Sequence, residues 1–194
     1  MIRFSTCLKA LAILTIAYSS AFLAPCAAKD PCVSGPAVGE RPGPYSFLVA
    51  SGPERGQQTC YVCESASKPG VIVFARSLSD PLAQLLVKCD GVVADRPKDS
   101  MRAWMTVLGE KTVALDALGK WAKQAGLTLP VGVFDDPVGP PSYKLAEDAD
   151  VTVVLFTDRK VLANFAFRAG ELDDTAVRRV ADEVARLGKK TAGK

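Results

Sequence analysis

The run Val71-Ile72-Val73-Phe74-Ala75-Arg76 constrains the fold of this chain more than any other stretch. It is short, apolar and rich in β-branched residues, and a Lys68-Pro69-Gly70 turn bounds it, which predicts a buried strand. A paired-cysteine motif, Cys60-Tyr61-Val62-Cys63, lies shortly ahead of the strand. We therefore expect the downstream chain to pack around this strand. The two cysteines either take part in catalysis or form a disulfide that stabilises the fold.

The N-terminus has the pattern of a secretory signal. Arg3 and Lys9 precede an apolar stretch over residues 10–23, and small residues ending at Ala28 follow it. We predict a signal peptide over residues 1–28, cleaved near Ala28, and a secreted or periplasmic location.

Two other interpretations of the same N-terminal segment are weaker. A membrane span is not predicted, because Pro25 and two serines interrupt the apolar character and no basic cluster follows. A lipid anchor on Cys26 is unfavourable, because a proline just before the cysteine suits a lipid-attachment box poorly.

The chain contains no histidine, and this absence excludes several classes of enzyme. Ser-His-Asp and Cys-His catalysis, the HExxH zinc site and CxxCH haem attachment all require it. Any catalysis must therefore use cysteine, carboxylate, lysine or tyrosine side chains, and we predict neither a metal nor another cofactor.

The charge of the chain gives no indication of a nucleic-acid partner. Cleavage of the signal removes two basic residues and no acidic one, so the formal net charge falls from +3 to +1. No run of five or more like charges occurs, and the lysines at the C-terminus have the character of a solvated tail. Nucleic acid is therefore not an expected partner.

The mature chain is predicted to be one domain with two appended segments. Residues 29–44 are dense in proline and glycine, which indicates an extended leader on the domain surface, with Cys32 as its candidate anchor. The domain spans residues 45–188, and residues 189–194 form a basic tail.

Within the domain, strand and helix periodicities alternate. Strands are predicted over residues 45–50, 71–76, 103–108, 131–134, 151–156 and 161–167, and helices begin near Asp80 as the N-cap, Thr112 and Asp173, with Gly188 ending the last. The strand, helix, strand, helix order predicts a parallel pair of strands joined by right-handed crossovers. The last two strands are predicted to form an antiparallel hairpin.

This order resembles the thioredoxin-like superfamily, and so do short motifs in the chain. The segments that resemble its peroxiredoxin and thiol-reductase branch include Val38-Gly39-Glu40-Arg41-Pro42, Lys68 to Phe74, Val133 to Pro137, Tyr143, Val151 to Phe156 and Lys160-Val161. The resemblance implies an α/β fold: a thioredoxin-like β-α-β-α-β-β-α sheet with helices on both faces and an N-terminal β-hairpin extension. It also implies redox chemistry, with protein thiols or disulfides as partners.

The chain departs from that pattern at two positions. Thioredoxins place their CxxC after the first core strand, at the start of the next helix, where Ser77-Leu78-Ser79-Asp80 stands here. Without a histidine, Ser77 and Ser79 are poor nucleophiles, so we interpret them as capping or loop residues. Thioredoxins also have a cis-proline at the position of Val151.

The role of the cysteine pair stays open at the level of sequence. If Tyr61-Val62 is extended, the two cysteine side chains point to opposite faces and need a local turn to bridge. Either Cys60 and Cys63 form a redox-active pair, with Cys60 attacking and Cys63 resolving, or a structural disulfide forms within the pair or to Cys32 or Cys89. A four-cysteine zinc site is a weaker alternative, because a second CxxC is missing.

Two functions follow from these alternatives. The first is an exported thioredoxin-like thiol-disulfide oxidoreductase with Cys60 and Cys63 as its catalytic residues. The second is a catalytically inactive thioredoxin-like binding or structural module that contains structural disulfides.

Overall fold

The structure is a computed structural model that describes residues 30–109 and 115–191. The predicted signal peptide, Cys26 included, lies outside the described residues. The strands are β1 (Phe47–Ser51), β2 (Gln58–Thr59), β3 (Gly70–Ala75), β4 (Arg102–Leu108), β5 (Val131–Phe134), β6 (Val151–Thr157) and β7 (Lys160–Phe167). The helices are α1 (Tyr61–Ser65), α2 (Asp80–Ala94), α3 (Leu115–Gln124) and α4 (Asp174–Thr191), with 3-10 turns at Pro97–Asp99 and Pro141–Tyr143.

All the strands belong to one mixed sheet with the order β2-β1-β5-β4-β3-β6-β7. β3 pairs in parallel with β4 on one side and antiparallel with β6 on the other, and each of its six residues is buried. β6 and β7 form the predicted antiparallel hairpin, and β1 and β2 form the predicted N-terminal hairpin. The strand inferred from the apolar run is thus an interior strand of the sheet.

Alternate side chains of each strand point to two separate hydrophobic cores. Val71 and Val73 face the larger core, which the three long helices α2, α3 and α4 cover. Ile72 and Phe74 face a smaller, aromatic core, covered by the short helix α1 and the turn at Pro141–Tyr143. Helices therefore lie on both faces of the sheet, but unequally.

A chain of hydrogen bonds runs through the aromatic core. The indole N–H of Trp104 donates to the hydroxyl of Tyr45 over 2.8 Å, and that hydroxyl lies 2.9 Å from Oγ1 of Thr106. Burial raises the pKa of the Tyr45 hydroxyl, so it remains a neutral member of this chain. The polar tips of the three buried side chains satisfy one another, as buried groups must.

Two helix boundaries differ from those predicted. Ser79, not Asp80, is the N-cap of α2, because its hydroxyl accepts the N–H of Leu82. α4 continues through Gly188 to Thr191, since a single glycine inside a helix costs only about 1 kcal/mol. The predicted start of α3 near Thr112 lies outside the described residues.

The leader follows the β7 edge of the sheet. The N–H of Gly39 donates to the carbonyl of Val161 over 2.8 Å, and the N–H of Val161 donates to the carbonyl of Glu40 over 2.9 Å. Further back, the buried hydroxyl of Ser34 lies 2.8 Å from the hydroxyl of Thr152 in β6. The leader is thus held by hydrogen bonds to the hairpin, and neither Cys60 nor Cys63 pairs with its Cys32.

None of the helices in the described part of the chain has the length and apolar character that a membrane span requires.

Gly70, the first residue of β3, offers a test of how tightly the aromatic core is packed. A Cβ atom added there would collide with the buried ring of Phe156, its register partner in β6. We expect Gly70→Ala to lower the free energy of unfolding by about 2 kcal/mol, because the ring cannot move without disturbing the core. Urea unfolding followed by far-UV circular dichroism measures the change.

Gly91→Ala is the matched control. Gly91 lies in α2, and an added Cβ would meet no atom within 4 Å apart from its chain neighbours and the backbone of its own helix, so the same substitution should stabilise the protein by up to about 1 kcal/mol. Equal effects of the two substitutions would contradict the packing described for Phe156.

Candidate redox site

Cys60 and Cys63 are joined by a disulfide across one turn of α1. Their Cα atoms lie 5.3 Å apart. Cys60 is the N-cap of the helix, and the backbone N–H of Cys63 donates to its sulfur over 3.3 Å. The helical turn brings residues i and i+3 to one side, which the extended conformation considered for Tyr61-Val62 would not do.

Tyr61, between the cysteines, holds this turn against the sheet. Its ring is buried in the aromatic core, 5.5 Å from the ring of Phe47 and 5.6 Å from that of Trp104. Its hydroxyl donates to Oε2 of Glu54 over 2.6 Å, and burial together with this carboxylate raises its pKa. Anchored by a large aromatic side chain, the five-residue helix persists although helices this short are unstable alone.

The two cysteines differ in their exposure to solvent. Cys63 is exposed, whereas Cys60 is half-buried. Cys63 also lines a cleft of about 280 Å³, which we call the Cys63 cleft. Its lining residues are Arg41, Pro42, Gly43, Pro44, Val62, Cys63, Ala66, Phe156 and Arg159. A thiol arriving from solvent therefore has more open access to Cys63 than to Cys60.

Two arginines of the Cys63 cleft were not singled out from the sequence. Arg41 comes from the leader and Arg159 from the turn between β6 and β7, so they are far apart in the chain. Positive charge beside a cysteine favours its thiolate, which is the reactive form. The only signal for them was their place in segments already noted: the motif around Pro42 and the predicted hairpin turn.

The disulfide lies at the end of β3 where the strand begins. Phe156, the register partner of Gly70, lines the same cleft as Cys63, whereas α2 starts beyond the other end of the strand at Ala75. Six residues of strand span roughly 20 Å at about 3.3 Å per residue. The dipole of α2 therefore cannot activate either cysteine, because such effects fade within the first turn of a helix.

The turn before α2 is occupied by polar contacts that stabilise the backbone. Ser79 caps the helix, and Ser77 donates its hydroxyl to Oδ2 of Asp150 over 2.8 Å. The carbonyl of Asp150 accepts the N–H of Arg76, and the peptide bonds within the described ranges, including that before Val151, are all trans. Ser77 and Ser79 therefore have the capping and loop roles that the sequence predicted for them.

The remaining described cysteines are set apart from the disulfide. Cys89 is fully buried on the apolar face of α2, and desolvation raises its pKa to about 12, so its thiol stays protonated at neutral pH. Cys32 is half-buried in the leader. Because Cys60 and Cys63 bond to each other, the alternative pairings with Cys32 or Cys89 are not those of this structure.

Comparison with known proteins finds similarity at the level of structure. No protein-family model matches the sequence, and no curated protein matches it. A candidate protein disulfide isomerase from Bacteroides thetaiotaomicron superposes with a TM-score of 0.57 and 16% identity, over 80% of this chain and 94% of that one.

Two further solved structures are similar. A candidate thiol:disulfide interchange protein DsbE from Chlorobium tepidum has a TM-score of 0.53 and 16% identity, over 76% of this chain and 98% of its own. A secreted Mycobacterium tuberculosis disulfide oxidoreductase homologous to E. coli DsbE has a TM-score of 0.52 and 12% identity, over 74% of this chain and 96% of its own. At identities this low, the structural similarity establishes the fold only. The activity has to be argued from the geometry of the site.

Proposed function

We propose that this chain, which has the predicted thioredoxin-like fold, exchanges electrons with protein thiols through its Cys60–Cys63 disulfide. One observation carries the proposal: the disulfide closes over a single helical turn and presents the exposed Cys63 in a cleft beside two arginines. We also propose that the chain is exported, because the signal pattern of residues 1–28 would deliver it to a compartment where the disulfide persists.

The exchange proceeds in two steps. A substrate thiolate attacks Sγ of Cys63, the Cys60–Cys63 bond breaks, and Cys60 leaves as a thiolate next to the N–H of Cys63. A second substrate thiolate then attacks the substrate sulfur of the mixed disulfide, which releases Cys63. Two electrons pass from the substrate to the protein, the substrate leaves as a disulfide, and the substrate protons can be taken up by the two cysteine thiolates.

This sequence of steps gives the cysteines roles opposite to those inferred from the sequence. Since the same path runs in both directions, the sulfur that accepts attack in the oxidised protein is also the nucleophile of the reduced protein. Cys63 would therefore attack a substrate disulfide, and Cys60, the less exposed cysteine, would resolve the mixed disulfide.

The reduction potential of the Cys60–Cys63 bond tests the proposal. We expect a value above about −270 mV, within the range of thiol-disulfide oxidoreductases. Equilibration of the purified protein in glutathione redox buffers, with thiol mapping by mass spectrometry, gives both the potential and the connectivity.

A second function remains in competition, that of a thioredoxin-like module with a structural disulfide. The observation in its favour is the position of the disulfide at the opposite end of β3 from the start of α2, where the dipole of α2 does not reach it. A potential below about −300 mV would support this module and reject the exchange reaction.

A further inference from the structure

We propose that the Cys63 cleft binds an acidic peptide, whose carboxylates near the reacting cysteine are held by Arg41 and Arg159. The inference rests on the proposed function and specifies its substrate class. It follows from the charge, the backbone geometry and the size of the cleft.

The cleft carries two positive charges and no negative one among its lining residues. Neither Arg41 nor Arg159 makes a hydrogen bond or ion pair with a described residue, whereas Arg55, Arg102 and Arg168 each bond to a carboxylate at 2.5 to 2.9 Å. The two guanidinium groups of the cleft therefore remain available to an anionic ligand.

The carboxylates adjacent in sequence do not neutralise these arginines. Glu40, beside Arg41, accepts the N–H of Ala37 over 3.0 Å and lies 3.9 Å from the amine of Lys144. Glu64, beside Cys63, pairs with Arg102 at 2.5 Å. Asp158, beside Arg159, is exposed and does not line the cleft.

The turn that carries Arg159 has an unusual backbone. Asp158 and Arg159 adopt left-handed φ angles of +50° and +60°, positions where a two-residue hairpin turn favours asparagine and glycine. The turn is fixed by the N–H of Asp158, which donates to the carbonyl of Ser67 in the loop after α1 over 3.1 Å. Arg159 is held in this strained conformation by a turn that is bonded to the segment after the disulfide. Backbone strain of this kind occurs at functional sites.

Arg41 is positioned from the other side by the same hairpin. The hydrogen bonds of Gly39 and Glu40 to Val161 place the leader beside the first residues of β7, directly after the turn. Both arginines thus reach the cleft from segments that hydrogen bonds hold next to each other.

The size of the cleft suits a short stretch of extended chain. The cleft, of about 280 Å³, takes part of such a segment, and Pro42, Pro44 and Phe156 supply apolar wall beside the two arginines. Successive side chains of an extended peptide point to opposite faces, so acidic residues two positions before and after a cysteine share its face and would reach the arginines while its thiol meets Cys63.

Three peptides that differ in the charge of two residues test the inference: acetyl-Glu-Gly-Cys-Gly-Glu-amide, acetyl-Gln-Gly-Cys-Gly-Gln-amide and acetyl-Lys-Gly-Cys-Gly-Lys-amide. Their rates of reaction with the oxidised protein, divided by their rates with neutral hydroxyethyl disulfide, remove differences in intrinsic thiol reactivity. We expect the acidic peptide to react about fivefold faster than the glutamine peptide at low salt, because two exposed charge pairs contribute modestly each. The preference should fall toward one at high salt.

Variants of the two arginines test whether they cause the preference for the acidic peptide. Arg41→Gln combined with Arg159→Gln should reduce the ratio below about two, and Arg159→Gly, which suits the left-handed turn, should lower it in a chain that folds without strain. Arg178→Gln removes the same charge from α4, on the other face of the sheet, and should leave the ratio intact. Equal normalised rates for the three peptides would overturn the inference while leaving thiol exchange standing.

A peptide with serine in place of cysteine measures binding in the cleft separately from thiol-disulfide exchange. Acetyl-Glu-Gly-Ser-Gly-Glu-amide cannot react, and its binding is followed by amide shifts of Arg41 and Cys63 in NMR spectra. Binding that the double arginine variant abolishes would support the acidic-peptide site even if no thiol reduced the disulfide. Absence of both binding and charge preference would overturn it.

Discussion

Replacing Cys63 by serine is expected to slow thiol-disulfide exchange by on the order of 1,000-fold or more, because the sulfur that we propose accepts the attack is lost. Replacing Cys60 by serine should have a different outcome. Cys63 can then still form a mixed disulfide with a substrate disulfide, but no neighbouring thiol resolves it, so the intermediate accumulates. Mass spectrometry of each variant after incubation with a peptide disulfide measures the trapped adduct.

The asymmetry between the two variants tests the order of attack. Trapping by Cys63→Ser and not by Cys60→Ser would reverse the proposed roles and restore those inferred from the sequence. Cys32→Ser is the control, because Cys32 is half-buried in the leader and has no part in the proposed exchange. Full exchange activity in the two variants of the pair would reject the Cys60–Cys63 site altogether.

Removing the side chain of Trp104 is expected to cost about 4 kcal/mol of unfolding free energy. The indole is 1% exposed and contacts the rings of Tyr61 and Phe156 in the aromatic core. Trp104→Ala leaves a cavity there and also removes the N–H that the Tyr45 hydroxyl accepts. Urea unfolding of the oxidised protein, followed by circular dichroism, gives the change.

Two further variants separate packing from hydrogen bonding. Trp104→Phe keeps most of the ring but not its N–H, so it should cost about 1 to 2 kcal/mol, with Tyr45 still bonded to Thr106. Trp121→Ala removes the same side chain from a half-buried position on α3 and should cost roughly 1 kcal/mol. Similar losses at Trp104 and Trp121 would show that the aromatic core is not packed as described.

The sheet could be predicted from the sequence because its signals are local. The apolar run after Gly70, the paired runs on either side of the turn at Asp158, and the leucines of α2 each indicate an element through nearby residues. The predicted thioredoxin-like arrangement is confirmed by the structure and its neighbours. Helix boundaries were predicted less accurately. Gly188 does not end α4, because a glycine inside a helix costs only about 1 kcal/mol.

The candidate site could not be predicted in the same way, because it depends on contacts between distant segments. The turn over Tyr61 and Val62 forms because the tyrosine ring packs against Phe47 and Trp104, and this packing outweighs the strand preference of the two residues. Arg41 and Arg159 lie 118 positions apart in the sequence and share a cleft only because the leader pairs with β7. Neither arrangement leaves a pattern that spacing within a short window could detect.

The leader along β7 also determines how another chain can approach this protein. An open sheet edge invites β-augmentation, in which an incoming peptide adds a strand through its backbone. Here the leader occupies the backbone groups of Val161 at one edge, and the strand at the other edge, β2, is only two residues long. An approaching peptide therefore finds few free backbone groups at the start of β7 and along β2, so its side chains would decide whether it binds there.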